Sequence, residues 1–396
     1  MSHQGNTVLT IKLKAHEERR LRAGHLWAFS NEIDTTEGFR ALTPGSLCRV
    51  MDSRNKPLGV GYINPRALLS VRMLTSNANA TIDVNWFVRR IESALALRER
   101  IYPGPFYRLI YGEGDGLPGL VVDRYGDVLV AQLSTAGMES LKPALVEALQ
   151  QVLKPRGILF RNDVGMRELE GLTEYAEEIG TVPDTVEIDE GGVRFAIPLK
   201  TGQKTGWFYD QRDNRDRLAR YVRGTRVLDV FSYIGGWALR AAKLGAKSVS
   251  CVDSSAPALE AAAHNAQLNG MELEAIKGQA LDTLKSLRDQ QCQFDVVIVD
   301  PPALIKRKKD AEAGLEHYAA LNRAAMHLLA PNGVLVACSC SHHLDAEQLQ
   351  RILLRESRTT NRRLQILEQG GQGPDHPVHP AIPETRYLKA FYCRVV

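Results

Sequence analysis

The chain has 396 residues, which is more than a single hydrophobic core usually contains, so we expect two or three folding units. Hydrophobic residues make up 44% and charged residues 24% of the chain, a balance that excludes a disordered protein. No uncharged apolar run approaches membrane-spanning length, and the basic N-terminal segment lacks the apolar core of a secretory signal. We therefore expect a cytoplasmic protein without membrane contact, whose six scattered cysteines are reduced thiols.

Positive charge is concentrated near the N-terminus. Residues 1–80 hold 11 lysines and arginines against 6 acidic residues, whereas the rest of the chain is nearly balanced. Such an excess would bind the phosphates of a polyanion such as RNA, although a merely solvated basic surface is the alternative. The candidate phosphate-binding residues are Lys12, Lys14, Arg19, Arg20 and Arg22.

Residues 8–75 alternate short β-type runs with turn signals, which predicts a small β-rich module. The predicted strands are Val8–Ile11, Ser46–Met51 and Leu68–Leu74, and a basic helical stretch from His16 to Ala23 follows the first of them. Apolar residues at helical spacing then predict a helix over Val84–Arg100.

The middle of the chain predicts a mixed α/β domain without a catalytic pattern. Strands at Leu117–Val122 and Val128–Leu133 flank a turn, and a helix over Met138–Leu153 and a strand at Gly157–Arg161 follow. We therefore predict three domains, with boundaries at 1–80, 81–185 and 186–396.

From Val186 onward a hairpin leads into regular alternation of apolar runs and helical stretches. The runs are Arg226–Phe231, Ser248–Asp253, Leu273–Lys277, Phe294–Asp300 and Val334–Ser339. This alternation predicts an α/β fold with a parallel, doubly wound sheet. Two final runs, Leu364–Glu368 and Tyr387–Val395, suggest that an antiparallel strand closes the sheet.

Ligands bind such a sheet beyond the carboxyl ends of its strands, so the residues that follow each run are the candidates. The first run continues as Asp229-Val230-Phe231-Ser232-Tyr233-Ile234-Gly235-Gly236. The paired glycines allow close approach of a ligand, but the G-x-G-x-x-G of dinucleotide binding is missing, which argues against a nicotinamide oxidoreductase. An acid at this turn suits the cationic methionine part of S-adenosylmethionine. A turn that only packs a helix on the sheet is the alternative.

The second and third runs end in further polar residues. Asp253 stands where nucleotide-binding sheets hydrogen-bond ribose hydroxyls, and helix capping is the alternative role. After the third run, Gln279 or Asp282 would read the adenine edge, and the sequence does not separate the two.

The fourth run ends in Asp300-Pro301-Pro302, where two prolines fix the backbone and aim one acidic side chain into the crevice. A simple turn residue is the alternative reading of Asp300. A basic cluster follows on a loop and would hold an RNA backbone near the crevice, unless it is only a solvated face. The cluster comprises Lys306, Arg307, Lys308 and Lys309.

The fifth run ends in Cys338-Ser339-Cys340-Ser341, and the later cysteine lies nearer the crevice. A thiolate that adds to C6 of cytosine makes C5 able to accept a methyl group, a step that only carbon methylation requires. We therefore predict Cys340 as nucleophile and Cys338 as a core residue. A metal cluster would need a second spaced cysteine pair, so no metal is expected.

Together, the motif from Asp229 to Gly236, Asp253, Asp300-Pro301-Pro302 and Ser339-Cys340-Ser341 resemble the class I, Rossmann-like methyltransferases of RNA. The chain is most similar to the bacterial family that makes 5-methylcytosine in large-subunit (23S) ribosomal RNA and carries an N-terminal PUA domain. The resemblance covers essentially the whole chain. It implies a PUA-like domain, a central α/β domain and a catalytic domain.

The resemblance also implies roles for particular residues. Asp229, Ser232, Gly235 and Gly236 would contact the methionine part of S-adenosyl-L-methionine, and Phe231 and Tyr233 belong to the same loop. Asp253 would contact the ribose and Asp300 would orient the target base and adjoin the cofactor. The stretch Gln203–Arg212 is typical of this group and would help bind the cofactor, with Gln203, Lys204 and Thr205 as candidates.

Two departures from the family pattern affect these roles. Gln279 stands where many relatives have an acid, and the fourth strand ends in Asp-Pro-Pro where many RNA cytosine-5 enzymes have Pro-Cys. Cys340 would then act without a second thiol. The group that removes the C5 proton is not identified by the sequence.

Three other functions compete with this one. Asp-Pro-Pro also marks enzymes that methylate an exocyclic amine of guanine or adenine, but an aromatic residue usually follows the prolines and here Ala303 does. A non-catalytic RNA-binding protein would not need the full set Asp229, Asp253, Asp300 and Cys340. The nicotinamide oxidoreductase lacks its glycine pattern. A monomer and a homodimer both remain open.

Overall fold

We analysed a computed structural model, which describes residues 9–35 and 39–396. The chain divides into two compact units. Unit 1 contains the described residues up to Val186 together with Pro198–Trp207 and Asp375–Thr385, and unit 2 contains Glu187–Ile197, Phe208–Pro374 and Arg386–Val396. The three predicted domain boundaries stay a prediction. Within the described residues, every helix is too short or too polar to cross a bilayer.

The first part of the chain forms β1 (Leu9–Lys12), α1 (Glu18–Arg22), β2 (Trp27–Phe29), β3 (Ser46–Met51), β4 (Pro57–Ile63), β5 (Leu69–Thr75), α2 (Val84–Ile101), β6 (Phe106–Tyr111), β7 (Leu120–Tyr125), β8 (Val128–Leu133), α3 (Ala136–Ser140), α4 (Lys142–Leu153), β9 (Gly157–Arg161) and β10 (Ala176–Gly180). Val8, which begins the predicted first strand, lies outside the described residues.

The second part forms β11 (Thr185–Glu190), β12 (Val193–Pro198), α5 (Arg212–Arg217), β13 (Arg226–Val230), α6 (Gly236–Lys243), β14 (Ser248–Asp253), α7 (Ala256–Leu268), β15 (Glu274–Lys277), α8 (Ala280–Asp289), β16 (Phe294–Val299), α9 (Ala311–Leu328), β17 (Leu329–Ser339), α10 (Ala346–Thr359), β18 (Leu364–Gly370) and β19 (Lys389–Val395).

In unit 1, strands of the described N-terminal residues form a sheet in the order β1-β3-β4-β5-β2. Two of its strands, β2 and β4, were not predicted from the sequence. In β4, Gly59 and Gly61 lower the β propensity. Both glycines are required by the geometry: Gly59 has φ +147°, and a Cβ on Gly61 would lie 2.4 Å from the carbonyl oxygen of Arg72. The predicted β-rich module is therefore confirmed, with two strands more than its pattern indicated.

A second sheet of unit 1 has the order β10-β9-β8-β7-β6, and α2 and α4 contribute Phe87, Ile91, Leu145 and Leu149 to its core. The single helix predicted over Met138–Leu153 is two helices, α3 and α4. Pro143 lies in the first turn of α4. Proline fits that position because the first turn needs no intrahelical N–H donor, whereas it would break a continuous helix.

A buried ion pair ties α2 to the turn after β6. Arg98 is fully buried and its guanidinium donates to both carboxylate oxygens of Asp115, at 2.7 and 2.8 Å. It also donates to the carbonyl oxygens of Arg108 at 3.0 Å and Asp375 at 2.8 Å. Because all of these partners belong to unit 1, one side chain joins three separate segments of that unit.

In unit 2, the described residues form a seven-stranded sheet in the order β15-β14-β13-β16-β17-β19-β18. Strands β13 to β17 pair in parallel, and β19 is antiparallel to both β17 and β18. The predicted doubly wound sheet is therefore confirmed. The strand order reverses at β13, the first strand, so the carboxyl ends of β13, β14, β16 and β17 meet at one edge, where open α/β sheets bind ligands.

We predict that Arg98→Met destabilises unit 1 by about 3–5 kcal/mol, because it leaves the buried Asp115 carboxylate unpaired. Hydrogen exchange of α2 and β6 peptides in increasing urea measures this locally. The control is Arg351→Ala, which removes an exposed pair with Glu347 and should change exchange by less than about 0.5 kcal/mol. Equal protection of the two variants would contradict the structural role of Arg98.

Candidate functional site

Asp229 is the central polar residue at the carboxyl edge of the unit 2 sheet. It is fully buried, and its Oδ2 accepts a hydrogen bond from the backbone N–H of Ala238, in the first turn of α6, at 3.1 Å. Its Oδ1 has no hydrogen-bond partner within the described part of the chain. Burial first, and then the charge of Asp300, raise the pKa of Asp229 to about 8. A cation beside Oδ1 would offset both effects.

The loop between β13 and α6 has an unusual backbone. Phe231 and Tyr233 have positive φ values of 69° and 51°, and Gly235 has φ 86°. Positive φ is unfavourable for bulky residues, so the fold imposes this conformation on the loop. Ser232 is buried between them, and Gly236 begins α6. Among the hydrogen bonds of the described residues, the one contact to the Asp229 side chain from this region is the backbone N–H of Ala238 in the first turn of α6.

Asp253, at the end of β14, fastens this loop. Its Oδ2 accepts from the backbone N–H of Tyr233 and its Oδ1 from that of Ser255, both at 2.9 Å. Ser255 itself caps α7, so capping is not the role of Asp253. Gln279 and Asp282 are both exposed at the start of α8, which leaves the adenine role of each a prediction.

Asp300 is held by two side chains that the sequence analysis did not select. The amide of Gln211 donates to both carboxylate oxygens and the indole N–H of Trp237 donates to one, all at 2.9 Å. Gln211 lies in the Gln203–Arg212 stretch quoted for the resemblance, which was a usable signal. For Trp237 the sequence held only a weak signal, namely an indole N–H donor directly after the glycine pair. Three donated hydrogen bonds fix the carboxylate in one orientation.

The two cysteines of the fifth motif differ sharply in environment. Cys338 is buried among apolar side chains, and burial followed by the charge of Asp300 raises the pKa of its thiol well above the usual range. Cys340 follows β17, is only partly buried, and its Sγ lies 4.0 Å from the carbonyl oxygen of Pro301. A neutral, enclosed thiol is inert, so only Cys340 is suited to chemistry.

The serines that flank Cys340 anchor it. The hydroxyl of Ser339 donates to the hydroxyl of Tyr318 at 2.9 Å, and the hydroxyl of Ser341 lies 2.9 Å from the same Tyr318 oxygen. Ser341 also accepts from the backbone N–H of Ile305 at 3.1 Å, beyond the prolines. Both serines are fully buried. Cys340 therefore lies between two residues that hydrogen bonds hold in place.

The residues Gln203, Lys204 and Thr205 belong to unit 1. The buried hydroxyl of Thr205 donates to Asp123 at 2.5 Å, within a cluster that also contains Arg108. Gln203 and Lys204 are exposed. Their predicted role in cofactor binding stays a prediction.

The predicted RNA-binding residues fall into two groups. Arg20 pairs with Glu32 and Arg22 with Asp52, which reduces their availability to phosphates. Lys12, Lys14 and Arg19 form no ion pair within the described residues. In the second cluster Arg307 pairs with Asp310, whereas Lys306, Lys308 and Lys309 are exposed and unpaired among the described residues.

Two arginines outside the predicted groups line a cavity. Arg89 and Arg90 of α2 line a cavity of about 990 Å³ in unit 1, and neither forms an ion pair with a described carboxylate. Arg90 lies over the ring of Trp86, 5.2 Å from its centroid. Within the described residues no three His, Cys, Asp or Glu side chains group closely enough to hold a metal ion.

Comparison with known proteins gives consistent matches. Residues 11–76 match the PUA-like domain family, and residues 173–393 match the S-adenosylmethionine-dependent methyltransferase family. The ribosomal RNA large subunit methyltransferase I of Aliivibrio fischeri (strain MJ11) is 38% identical over 98% of this chain and 100% of its own length. The protein of the same name from Cronobacter sakazakii is 37% identical, with the same coverage of both chains.

Two solved structures match nearly the whole chain. A methyltransferase complexed with SAH has a TM-score of 0.84 at 20% identity, and the match covers 98% of this chain and 100% of that chain. A SAM-dependent methyltransferase from Streptococcus mutans has a TM-score of 0.83 at 20% identity, with the same coverage. At this identity the likeness supports the fold. The unsatisfied Oδ1 of Asp229 fits the cationic end of the S-adenosylmethionine cofactor.

We predict that Asp229→Asn weakens S-adenosylmethionine binding about 10- to 100-fold, because a charge-assisted hydrogen bond is lost. Calorimetric titration across pH tests this. Since the pKa of Asp229 in the folded protein is about 8, wild-type affinity should rise as pH rises towards 8, and the variant should lack that rise.

The same substitution should stabilise the ligand-free protein. A carboxyl whose pKa is raised on folding binds its proton in the native state, so its contribution to stability falls as pH rises from about 4 to about 8. The gain in melting temperature should be larger at pH 8 than at pH 5. The control is Asp289→Asn, at the exposed end of α8. If Asp229→Asn binds S-adenosylmethionine with wild-type affinity, Asp229 is not the partner of the cofactor's cationic part.

Proposed function

The chain belongs to the S-adenosylmethionine-dependent methyltransferase family and carries a PUA-like domain, and from that premise we propose that it methylates C5 of a cytosine in large-subunit ribosomal RNA. Two relatives that are 37–38% identical carry the name ribosomal RNA large subunit methyltransferase I, which supports the RNA substrate. The choice of carbon as methyl acceptor rests on one observation: the partly exposed thiol of Cys340, 4.0 Å from the carbonyl oxygen of Pro301.

The need for a thiol follows from the electronic structure of cytosine. C5 is a poor nucleophile until a thiolate adds to C6, which makes C5 electron-rich. S-adenosylmethionine supplies the electrophilic methyl group when it is bound. Cys340 forms the Sγ–C6 bond, a base removes the proton from C5 after methylation, and the Sγ–C6 bond breaks to release the product and the thiolate.

The other site residues would hold the reactants. Asp229 would bind the cationic methionine part of the cofactor, and Asp253 would bind its ribose while it fixes the loop at Tyr233. Asp300 would accept a hydrogen bond from the cytosine amino group, in the orientation that Gln211 and Trp237 impose on it. Gln279 or Asp282 would contact the adenine. No metal ion has a role in this scheme.

Basic residues of unit 1 and of the loop after Pro302 would hold the phosphates of the RNA. Of the five predicted N-terminal residues, Arg20 and Arg22 form ion pairs with described carboxylates, whereas Lys12, Lys14 and Arg19 do not. Lys306, Lys308 and Lys309 are their counterparts in unit 2. We propose the cytoplasm as the site of action because ribosomal RNA is the substrate.

We predict that Cys340→Ala abolishes methylation, with a loss in kcat of at least about 10³-fold, the scale expected for loss of a nucleophile. Ribosomal RNA that contains 5-fluorocytosine should trap the wild-type protein covalently in the presence of cofactor, because fluorine at C5 prevents proton removal. The variant should form no adduct.

The matched control is Cys292→Ala, which removes a partly exposed thiol at the turn between α8 and β16. It should trap RNA like the wild type. If Cys340→Ala traps as well as wild type, or if neither protein traps, Cys340 is not the nucleophile. Mass spectrometry of nucleosides completes the test, because a methylated guanine or adenine amine in place of 5-methylcytosine would overturn carbon methylation.

We also predict that Lys12→Ala combined with Arg19→Ala weakens RNA binding at all sequences. Two lost phosphate contacts should reduce the slope of log K against log salt concentration by about 1 to 2. Filter binding at several salt concentrations measures this slope. The control, Arg351→Ala in the exposed pair with Glu347, should leave the slope unchanged. An unchanged slope in the double variant would remove both residues from the RNA interface.

A further inference from the structure

Lys389 is a buried lysine at the edge of the candidate site. It begins β19 and lies directly opposite Ser339 in the antiparallel pairing with β17. Only 7% of its surface is exposed. Its Nζ donates to the carbonyl oxygen of Ser341 at 2.6 Å and to that of Tyr387 at 2.7 Å. The ammonium is therefore hydrogen-bonded to the backbone of the segment that carries Cys340.

Lysine is rarely buried without an anion, because desolvation of an ammonium is costly. Lys389 forms no ion pair with a described carboxylate. Its two carbonyl acceptors satisfy two of the three N–H groups of an ammonium, which leaves one N–H for another acceptor. A buried ammonium of this kind needs a negative charge nearby to compensate it.

The charged groups around Lys389 identify one candidate. Burial lowers the pKa of Lys389 to about 8, while the charge of Cys340 and then that of Asp345 raise it. Asp345 caps α10 through the backbone N–H of Gln348 at 2.7 Å. Further titratable groups on the adjoining segments are Tyr318, hydrogen-bonded to Ser339, and His342 and Tyr387, whose ring centroids are 5.6 Å apart. Of these groups, only the Cys340 thiolate has an assigned role in the reaction.

We propose that Lys389 is a positioning residue that supplies the positive charge for the Cys340 thiolate. The inference rests on the proposed role of Cys340 as nucleophile. Coulombic coupling is reciprocal: a thiolate that favours the ammonium form of Lys389 is favoured by that ammonium to the same extent. Lys389 also donates a hydrogen bond to the carbonyl oxygen of Ser341, the residue after Cys340. One side chain therefore supplies the positive charge and also holds the backbone that carries the thiol.

A purely structural lysine is the competing explanation, since Lys389 would tie the carbonyls of Ser341 and Tyr387 together in either case. The two explanations differ in what they predict for the ionisation of the thiol. A tether alone fixes the backbone and leaves thiol ionisation unchanged. A charge partner lowers the pH at which Cys340 becomes reactive.

Alkylation of the full-length protein by iodoacetamide, without RNA, separates the two. Peptide-resolved mass spectrometry gives the rate at each cysteine against pH, with Cys292 as an internal reference. In wild type the midpoint for Cys340 should lie below about 8.5, the ordinary thiol value. Lys389→Met should raise it by about 1 pH unit or more, which slows alkylation near neutral pH about tenfold. Lys389→Arg should keep the wild-type midpoint, because it keeps the charge.

Cofactor affinity and circular dichroism show whether each variant folds. A Cys340 midpoint in folded Lys389→Met that equals the wild-type value overturns the proposal. Should Lys389→Met fail to fold, the reciprocal experiment uses the 13Cε signal of Lys389 in wild type and in Cys340→Ser. Removal of the thiol should lower the pKa of Lys389 by about 0.5 unit or more, and an unchanged value overturns the proposal equally.

These outcomes are independent of the RNA chemistry. Absence of a 5-fluorocytosine adduct would remove Cys340 as nucleophile even if its alkylation depends on Lys389. Conversely, a normal adduct with alkylation that is insensitive to Lys389 would remove only the inference about the lysine.

Discussion

Three buried ionisable side chains, Cys338, Asp229 and Lys389, lie near the carboxyl ends of β13 and β17, and desolvation shifts the pKa of each. Cys338 stays a neutral thiol inside the apolar core. Asp300, at the end of β16, accepts three hydrogen bonds. Asp229, with one oxygen unsatisfied, keeps its proton to an unusually high pH, and Lys389 is held by two carbonyls. The last two are therefore prepared for partners of opposite charge.

Position is controlled by a different set of bonds. Ser339 and Ser341 are buried and share the hydroxyl of Tyr318, so the three-residue segment cannot rotate as a flexible loop would. Cys340 alone of the three is partly exposed and points towards the carbonyl of Pro301. A nucleophile held in this way loses little entropy when it reacts, which is the contribution that rigid supporting residues make to catalysis.

The sequence predicted the parallel sheet and its strand-end acids because both are local patterns. It missed what depends on distant pairing: Gln211 and Trp237 reach Asp300 across 89 and 63 residues of chain. Lys389 gained its significance only from its register opposite Ser339. Local sequence patterns also gave two errors. Gly59 and Gly61 lower the β propensity of β4, so this strand was not predicted. Pro143 begins a new helix within a stretch whose apolar pattern predicted one continuous helix.

Two carboxylates near the thiol set a condition on the reaction. The charge of Asp300 raises the pKa of the buried Cys338 thiol, because like charges repel. If Cys340 acts as proposed, its thiolate would share this edge of the sheet with the carboxylates of Asp300 and Asp229, and compensating cations would be needed. Under the proposals made for Asp229 and Lys389, the sulfonium of a bound cofactor would supply one such cation and Lys389 would supply the other. The proposed nucleophile would then ionise most readily after the cofactor binds, which would couple the methyl donor to attack on the base through charge.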